Sequence, residues 1–199
     1  MKKIISLALV LIMGISFASC GSKNDTKAVE ASVDKAVTAL KKYDTESINK
    51  YVESDDLKSI QEGIDGIEGA DKLVKAIFSK LSYEISDVSI KDNHATVSMA
   101  VTTKDLKSVA SSYMMSMLGS YLKGEVDTKN ESFIQEQLTV ITDMVNADTV
   151  GTTSANVNVA LENKDGTWVI ILDDTVEDAI MGGAASTIKS IVDLASKNK

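Results

Sequence analysis

Two residue types that often carry chemistry occur once each in this chain: the histidine is His94 and the cysteine is Cys20. A zinc site needs several histidine, cysteine or carboxylate ligands, and a Ser-His-Asp triad needs a histidine that a carboxylate orients. His94 directly follows Asp92-Asn93, which is a turn sequence, so we expect an exposed residue at the start of a strand. The sequence therefore predicts no metal site, no cofactor and no catalytic residue.

Acidic side chains are grouped at two places. Asp173, Asp174, Glu177 and Asp178 surround the predicted start of the last helix, and Asp55-Asp56 stand at the start of an earlier one. Carboxylates cap helices and interact favourably with the positive N-terminal end of the helix dipole. The alternative for the first group is a calcium site, but the ligand spacing of an EF-hand loop is missing. We expect both groups to serve as helix starts.

Methionines are concentrated in one predicted helix, at Met114, Met115 and Met117, with Met99 on a nearby strand. Copper(I) accepts thioether ligands, but this spacing cannot place all three helical methionines on one face. We interpret them as core residues. The alternative is that they line an adaptable apolar pocket.

Cys20 is the residue to which the sequence assigns a chemical role. Lys2-Lys3 precede an apolar run from Ile4 to Phe17, which is shorter than the roughly 20 residues that cross a bilayer as a helix. Followed by Ala18-Ser19-Cys20, this segment resembles a bacterial lipoprotein signal peptide, although Phe17 stands where leucine is usual. The resemblance implies a signal peptide over residues 1–19 and lipid, such as palmitate, on Cys20. The alternative is an ordinary secretory signal with an incidental cysteine.

Charge narrows the range of partners. Removal of residues 1–19, which carry two lysines and no carboxylate, changes the formal net charge from −8 to −10, and the chain has no arginine. Nucleic acids and anionic lipid headgroups both require cationic contacts, so we expect no nucleic-acid partner. The predicted link to the cell membrane is the lipid on Cys20, on the extracytoplasmic face.

The pattern of apolar residues predicts helices first, then two β-hairpins separated by a helical insertion, and then a C-terminal helix. Turn sequences at Asp92-Asn93 and Asp165-Gly166 mark the hairpins. The insertion begins with a helix that we expect to be well buried. Gly182-Gly183 predicts a kink or close packing in the last helix. The apolar residues expected inside these helices are Val29, Val33, Val37 and Leu40 in the first helix, Ile48, Tyr51 and Val52 in the second, Leu106, Val109, Ala110, Tyr113, Met114, Met117, Leu118, Tyr121 and Leu122 in the first helix of the insertion, and Val176, Ile180, Ala184, Ile188, Ile191 and Leu194 in the last helix.

This order of elements, with a strand reading Asp165-Gly166-Thr167-Trp168-Val169-Ile170, is similar to the NTF2-like (cystatin-like) superfamily. The resemblance implies an α+β fold in which N-terminal helices pack on a curved antiparallel sheet of about four strands. We therefore predict a signal peptide over 1–19, the lipidated cysteine and a tether over 20–26, and a single domain over 27–199.

These features predict a lipid-anchored extracytoplasmic module that binds or interacts, with no catalysis. Its partner would be a small apolar ligand or an envelope protein. Two alternatives stay open. One is an NTF2-like enzyme with an apolar cavity, for which Tyr83, Tyr113, Tyr121 and Asp173 are the candidate groups. The other is a structural or accessory subunit of an envelope assembly.

Overall fold

The computed structural model describes residues 23–64, 66–124, 126 and 131–187. The predicted signal peptide and Cys20 lie outside these residues. The helices are α1 (Lys23–Lys42), α2 (Thr45–Tyr51), α3 (Asp55–Ile64), α4 (Ala70–Phe78), α5 (Leu106–Leu122), α6 (Glu131–Asn146) and α7 (Asp174–Ile180). The strands are β1 (Val52–Glu53), β2 (Ser82–Lys91), β3 (His94–Lys104), β4 (Thr152–Lys164) and β5 (Thr167–Ile171).

The described strands form one sheet in the order β1-β5-β4-β3-β2. The α+β class is confirmed, but the expectation of about four antiparallel strands is wrong, because β1 adds a fifth strand that pairs parallel to β5. Val52 was assigned to a helix; it is instead buried opposite Ile170 on β5. One apolar residue at the end of a seven-residue helix fits the periodicity of a helix and that of a strand equally well. Its conformation is therefore decided by its partner in a distant part of the chain, Ile170.

Both predicted hairpins are present. β2 pairs with β3 around Asp92-Asn93, with an irregular register between Ile85 and Asp87. β4 pairs with β5 around Asp165-Gly166, where both turn residues have positive φ, as two-residue hairpin turns require. Between the hairpins, β3 and β4 pair along eleven residues from His94 to Lys104. The sheet is therefore built on local turns joined by one long non-local pairing.

The main core lies between one face of the sheet and helices α1, α2 and α7. Val29 and Val33 of α1 are fully buried, and they belong to the same cluster as Val97 of β3, Val159 of β4 and Val176 of α7. The apolar residues that recur every three or four positions in α1, which we call the α1 stripe, are thus confirmed as the core-facing side of this helix. The helix begins at Lys23, so its first turn includes residues that the sequence analysis assigned to the tether.

A second, smaller core joins α4, α5, α6 and the chain after α7. Its buried members are Ala76, Leu106, Val109, Val145 and Ala184. The burial predicted for all of α5 is wrong beyond its first turns: Leu118, Tyr121 and Leu122 are 52%, 69% and 77% exposed. The periodicity identified a helix, but α5 has apolar residues around most of its circumference and α6 covers only one side.

The last helix is interrupted where Gly182-Gly183 predicted a kink. α7 ends at Ile180, and Gly182 and Gly183 have φ values of +56° and +80°. The predicted interruption is therefore confirmed. A Cβ atom on Gly182 would overlap the carbonyl oxygen of Lys104, so the closest approach is to the end of β3 and not to another helix. Ile188, Ile191 and Leu194 lie outside the described residues.

Candidate functional site

His94 lies where the sequence placed it, exposed at the start of β3 and paired with Glu162 in the neighbouring strand. Within the residues that the structure describes, no three histidine, cysteine or acidic side chains lie close enough to hold a metal ion.

The acidic group at α7 consists mainly of hydrogen-bonded helix-end residues. Asp173 is the N-cap: its Oδ1 accepts from the Val176 amide at 2.8 Å. Asp178 accepts from the Ser186 amide at 2.8 Å. Glu177 accepts from the Ser54 hydroxyl at 2.5 Å. Burial raises the pKa of the Glu177 carboxyl; the Ser54 hydrogen bond opposes this, and Asp56 at the start of α3 adds to it. The Asp173 and Asp178 bonds thus stabilise the two ends of α7, and the Glu177 bond joins α7 to Ser54 just before α3.

The four residues named as catalytic candidates have different surroundings. Tyr83 donates to Asp34 of α1 at 3.3 Å, and Tyr113 donates to Gln137 of α6 at 3.3 Å. Burial raises the pKa of both phenols, with the Asp34 charge adding to the effect at Tyr83. Tyr121 is exposed, and Asp173 is engaged as the α7 cap. The described contacts do not link these groups to one another.

The space between α1 and the sheet is nearly filled. The apolar cavity there has a volume of about 20 Å³ and is bounded by residues such as Leu40, Met99 and Ile170. That is room for about one water molecule. The apolar cavity that the enzyme alternative requires therefore finds no support beneath α1.

A wider cleft of about 770 Å³ runs beside β1 and α3, but its lining mixes apolar and polar residues and carries both signs of charge. Lys164 bonds to Glu53 at this cleft and lies 3.7 Å from Glu162. Lys58, Asp55 and Glu62 contribute further opposed charges. Opposed charges that pair with one another give no net field for a ligand of either sign, so we interpret the cleft as a solvated edge of the sheet.

An apolar groove lies between α5 and α6 and is closed at one side by α4. Its volume is about 400 Å³. We call it the α5–α6 groove, and its lining residues are Leu73, Tyr113, Met117, Phe133, Gln137, Leu138 and Ile141. The lining is apolar except for the hydrogen-bonded Tyr113–Gln137 pair. Among the described lining residues no side chain is charged.

The opposite side of α5 is also apolar, and it faces solvent. Met115 is 70% exposed and joins Leu118, Leu122 and, at the edge toward Met117, Tyr121; we call these four residues together the α5 outer face. At about 100° per residue, positions 115, 118 and 122 share one side of the helix, roughly opposite Tyr113 and Met117. The sequence from Ser108 to Leu122 contains no charged residue.

The groove was anticipated only as the alternative for the methionines, and Met117 alone of the three helical methionines lines it. The outer face was missed. The sequence feature that could have revealed it is the long run without charged residues in an otherwise charged chain. A helix that is apolar on all sides needs an apolar partner on each side.

Comparison with known proteins gives little. No family model matches the chain, and no curated protein matches it. A solved structure of YcdA, a candidate lipoprotein from Bacillus subtilis, is similar over 83% of this chain and 48% of its own, with 14% identity and a TM-score of 0.40. This chain thus spans about half the length of that protein.

None of the helices in the described ranges is both long enough and apolar enough to cross a membrane.

Proposed function

We propose that this protein is a lipid-anchored extracytoplasmic lipoprotein whose domain binds an apolar ligand in the α5–α6 groove. Cys20, after an apolar export signal, would carry the lipid. The domain would be a divergent NTF2-like fold, a proposal supported by the packing of α1 against one face of the sheet. The observation that carries the function is the apolar groove itself.

The size and lining of the groove fit a small ligand. Pockets for small molecules commonly enclose about 300–1,000 Å³ and combine apolar walls with a few placed polar groups. The groove has about 400 Å³, apolar walls on three helices, and a single polar pair formed by Tyr113 and Gln137. Met117 and Phe133 supply adaptable and aromatic surface.

The same lining indicates the chemistry of the ligand. An ionised group would lose its water without gaining a partner of opposite charge in this groove. A neutral chain or ring would bury apolar area, and a hydroxyl or carbonyl could bond to the Tyr113–Gln137 pair. We therefore expect a neutral, largely apolar compound, or the apolar part of an amphiphile.

The test is binding of the apolar dye N-phenyl-1-naphthylamine, followed by its fluorescence and by displacement with a fatty alcohol. Met117→Glu puts a carboxylate into the groove and should weaken dye binding at least about tenfold, or about 1.4 kcal/mol. Met115→Glu is the matched control, because the same change on the outer face should leave dye binding unaltered. Equal dye binding by wild type and Met117→Glu would remove the groove as the site.

The accessory-subunit alternative stays a prediction with its own test. If the protein served an envelope assembly, pull-down from detergent-solubilised membranes would recover a stoichiometric protein partner, and the partner would be retained in Met117→Glu. A partner lost specifically in that variant would instead indicate that the groove binds an apolar segment of another protein.

A further inference from the structure

We propose that the α5 outer face is a membrane-contact surface, which inserts into the headgroup region of the bilayer to which the protein is anchored. This inference rests on the proposed function for its anchor at Cys20. It adds a second contact with the membrane, made by the folded domain and separate from the groove.

The α5 outer face is apolar and exposed. Met115, Leu118, Tyr121 and Leu122 are between 52% and 77% exposed, and they lie within two turns of one helix. Clustered exposed apolar side chains mark contact with a partner or a membrane. Interfacial helices insert such side chains into the boundary between headgroups and acyl chains. Tyrosine suits this boundary because its ring is apolar and its hydroxyl can bond to water.

A short stretch of chain joins the predicted anchor to the folded domain. Between the predicted lipidated Cys20 and the first residue of α1, Lys23, the chain advances three residues. A fully extended chain spans at most about 3.6 Å per residue, so the start of α1 stays within about 11 Å of the anchored cysteine. Such a short connection keeps the domain at a high effective concentration beside the bilayer. The bilayer is thus an apolar phase that always lies close to the domain.

The net charge of the chain favours contact of this face with lipid over contact with a second copy of the protein. The chain without its signal carries a formal net charge of −10, so two domains repel one another at long range. The outer face is uncharged and flanked only by Lys107 and Lys123 in sequence. Its contact with membrane should therefore be apolar and should not require anionic lipid.

The experiment uses the lipidated protein, purified from membranes and reconstituted into phosphatidylcholine vesicles. Because Cys20 is the only natural cysteine and is occupied by lipid in this preparation, Leu118→Cys supplies a unique thiol for an environment-sensitive NBD label. Met115→Cys provides a second labelling site. Thr96→Cys, exposed on β3, is the control site. Quenching of each label by brominated lipid measures contact with the bilayer.

The expected result is at least about twofold quenching at positions 118 and 115, little at 96, and the same pattern with or without anionic lipid. Adding Met115→Glu should abolish the quenching at 118 while leaving dye binding in the groove intact. Labels at 118 and 115 that remain unquenched in vesicles that retain the protein overturn the inference and leave the anchor standing.

Two other outcomes also contradict the inference. Shielding at 118 that grows with protein density in the vesicles, without quenching by brominated lipid, would assign the face to a second copy. Failure of the purified protein to carry lipid, or to float with vesicles, would overturn the anchor and this inference together. The dye-binding result is independent of all these outcomes, so failure of the groove is recognised separately.

Discussion

Gly182→Ala should be strongly destabilising, and its neighbour provides the control. Gly182 has φ +56°, and a Cβ atom there would overlap the carbonyl oxygen of Lys104, a backbone atom that no side-chain rotation can move. Gly183 has φ +80°, but its Cβ would meet only the Lys107 side chain, with a nearest distance of 3.4 Å. Both substitutions place an alanine in a left-handed conformation, which is unfavourable. Only Gly182→Ala also pushes the Lys104 backbone away.

The expected magnitudes follow from these two costs. A left-handed conformation costs a non-glycine residue about 1–2 kcal/mol, and this is the full expected effect of Gly183→Ala. Steric overlap in a packed site adds about 1–3 kcal/mol, so Gly182→Ala should lose about 2–5 kcal/mol. The second cost is concentrated where α5 begins, because Lys107 donates its amide to the Gly182 carbonyl at 3.2 Å.

Urea unfolding provides the assay, followed by the fluorescence of Trp168, the single tryptophan, which is buried. The midpoint should fall further for Gly182→Ala than for Gly183→Ala, with an unchanged m-value if only stability changes. Equal losses of stability in the two variants would refute the close approach of Gly182 to the Lys104 carbonyl at the end of β3. We call this approach the crossing between β3 and the chain after α7. Dye binding by Gly182→Ala under folding conditions then reports whether the crossing also positions the groove.

Two further predictions concern ionisable groups away from the groove. Burial raises the pKa of Glu177 above its ordinary 4.5. The protonated carboxyl therefore contributes its full stabilisation of the fold at pH values below 4.5. This contribution is lost as the pH rises through the raised pKa. Glu177→Gln should therefore gain stability relative to wild type across that window, by less than about 1 kcal/mol given solvent screening; urea midpoints that change equally with pH in both proteins would contradict this. Lys104 is buried, and its Nζ donates to the Val145 carbonyl at 2.8 Å and to Asn146 Oδ1 at 3.2 Å, at the end of α6. Lys104→Met keeps the aliphatic stem but leaves these acceptors without their donor, so we expect a loss of about 1–3 kcal/mol. Thermal unfolding checks this loss, with Lys91→Met as an exposed control, and equal melting temperatures in the two variants would exclude the role.

Sequence reasoning succeeded where the deciding contacts are local. The turn residues Asp165 and Gly166 specify their hairpin through φ alone. The stripe of α1 identifies a buried side whatever covers it. Gly182-Gly183 indicated that the backbone is constrained at this point. The sequence does not show, however, that the neighbouring group is the carbonyl of Lys104.

It failed where a neighbour distant in the chain decides the outcome. Two residues of β1 become a strand only because β5 lies beside them. For α5, periodicity shows which residues share a side but not which sides are covered, so Leu118 and Leu122 were expected to be buried although they face solvent. The groove depends on how α4, α5 and α6 pack, and the spacing of Met114, Met115 and Met117 carries no information on that arrangement.

The lipid anchor at Cys20 is the central claim about where this protein acts, because it places the domain at the membrane. Radiolabelled palmitate should be incorporated into the wild-type protein in growing bacteria, and the labelled protein should fractionate with membranes. Cys20→Ala removes the single thiol of the chain and should abolish incorporation, while Ser22→Ala, two residues further on, should leave it unchanged. Label that persists in Cys20→Ala, or a wild-type protein without label, would contradict the lipid anchor.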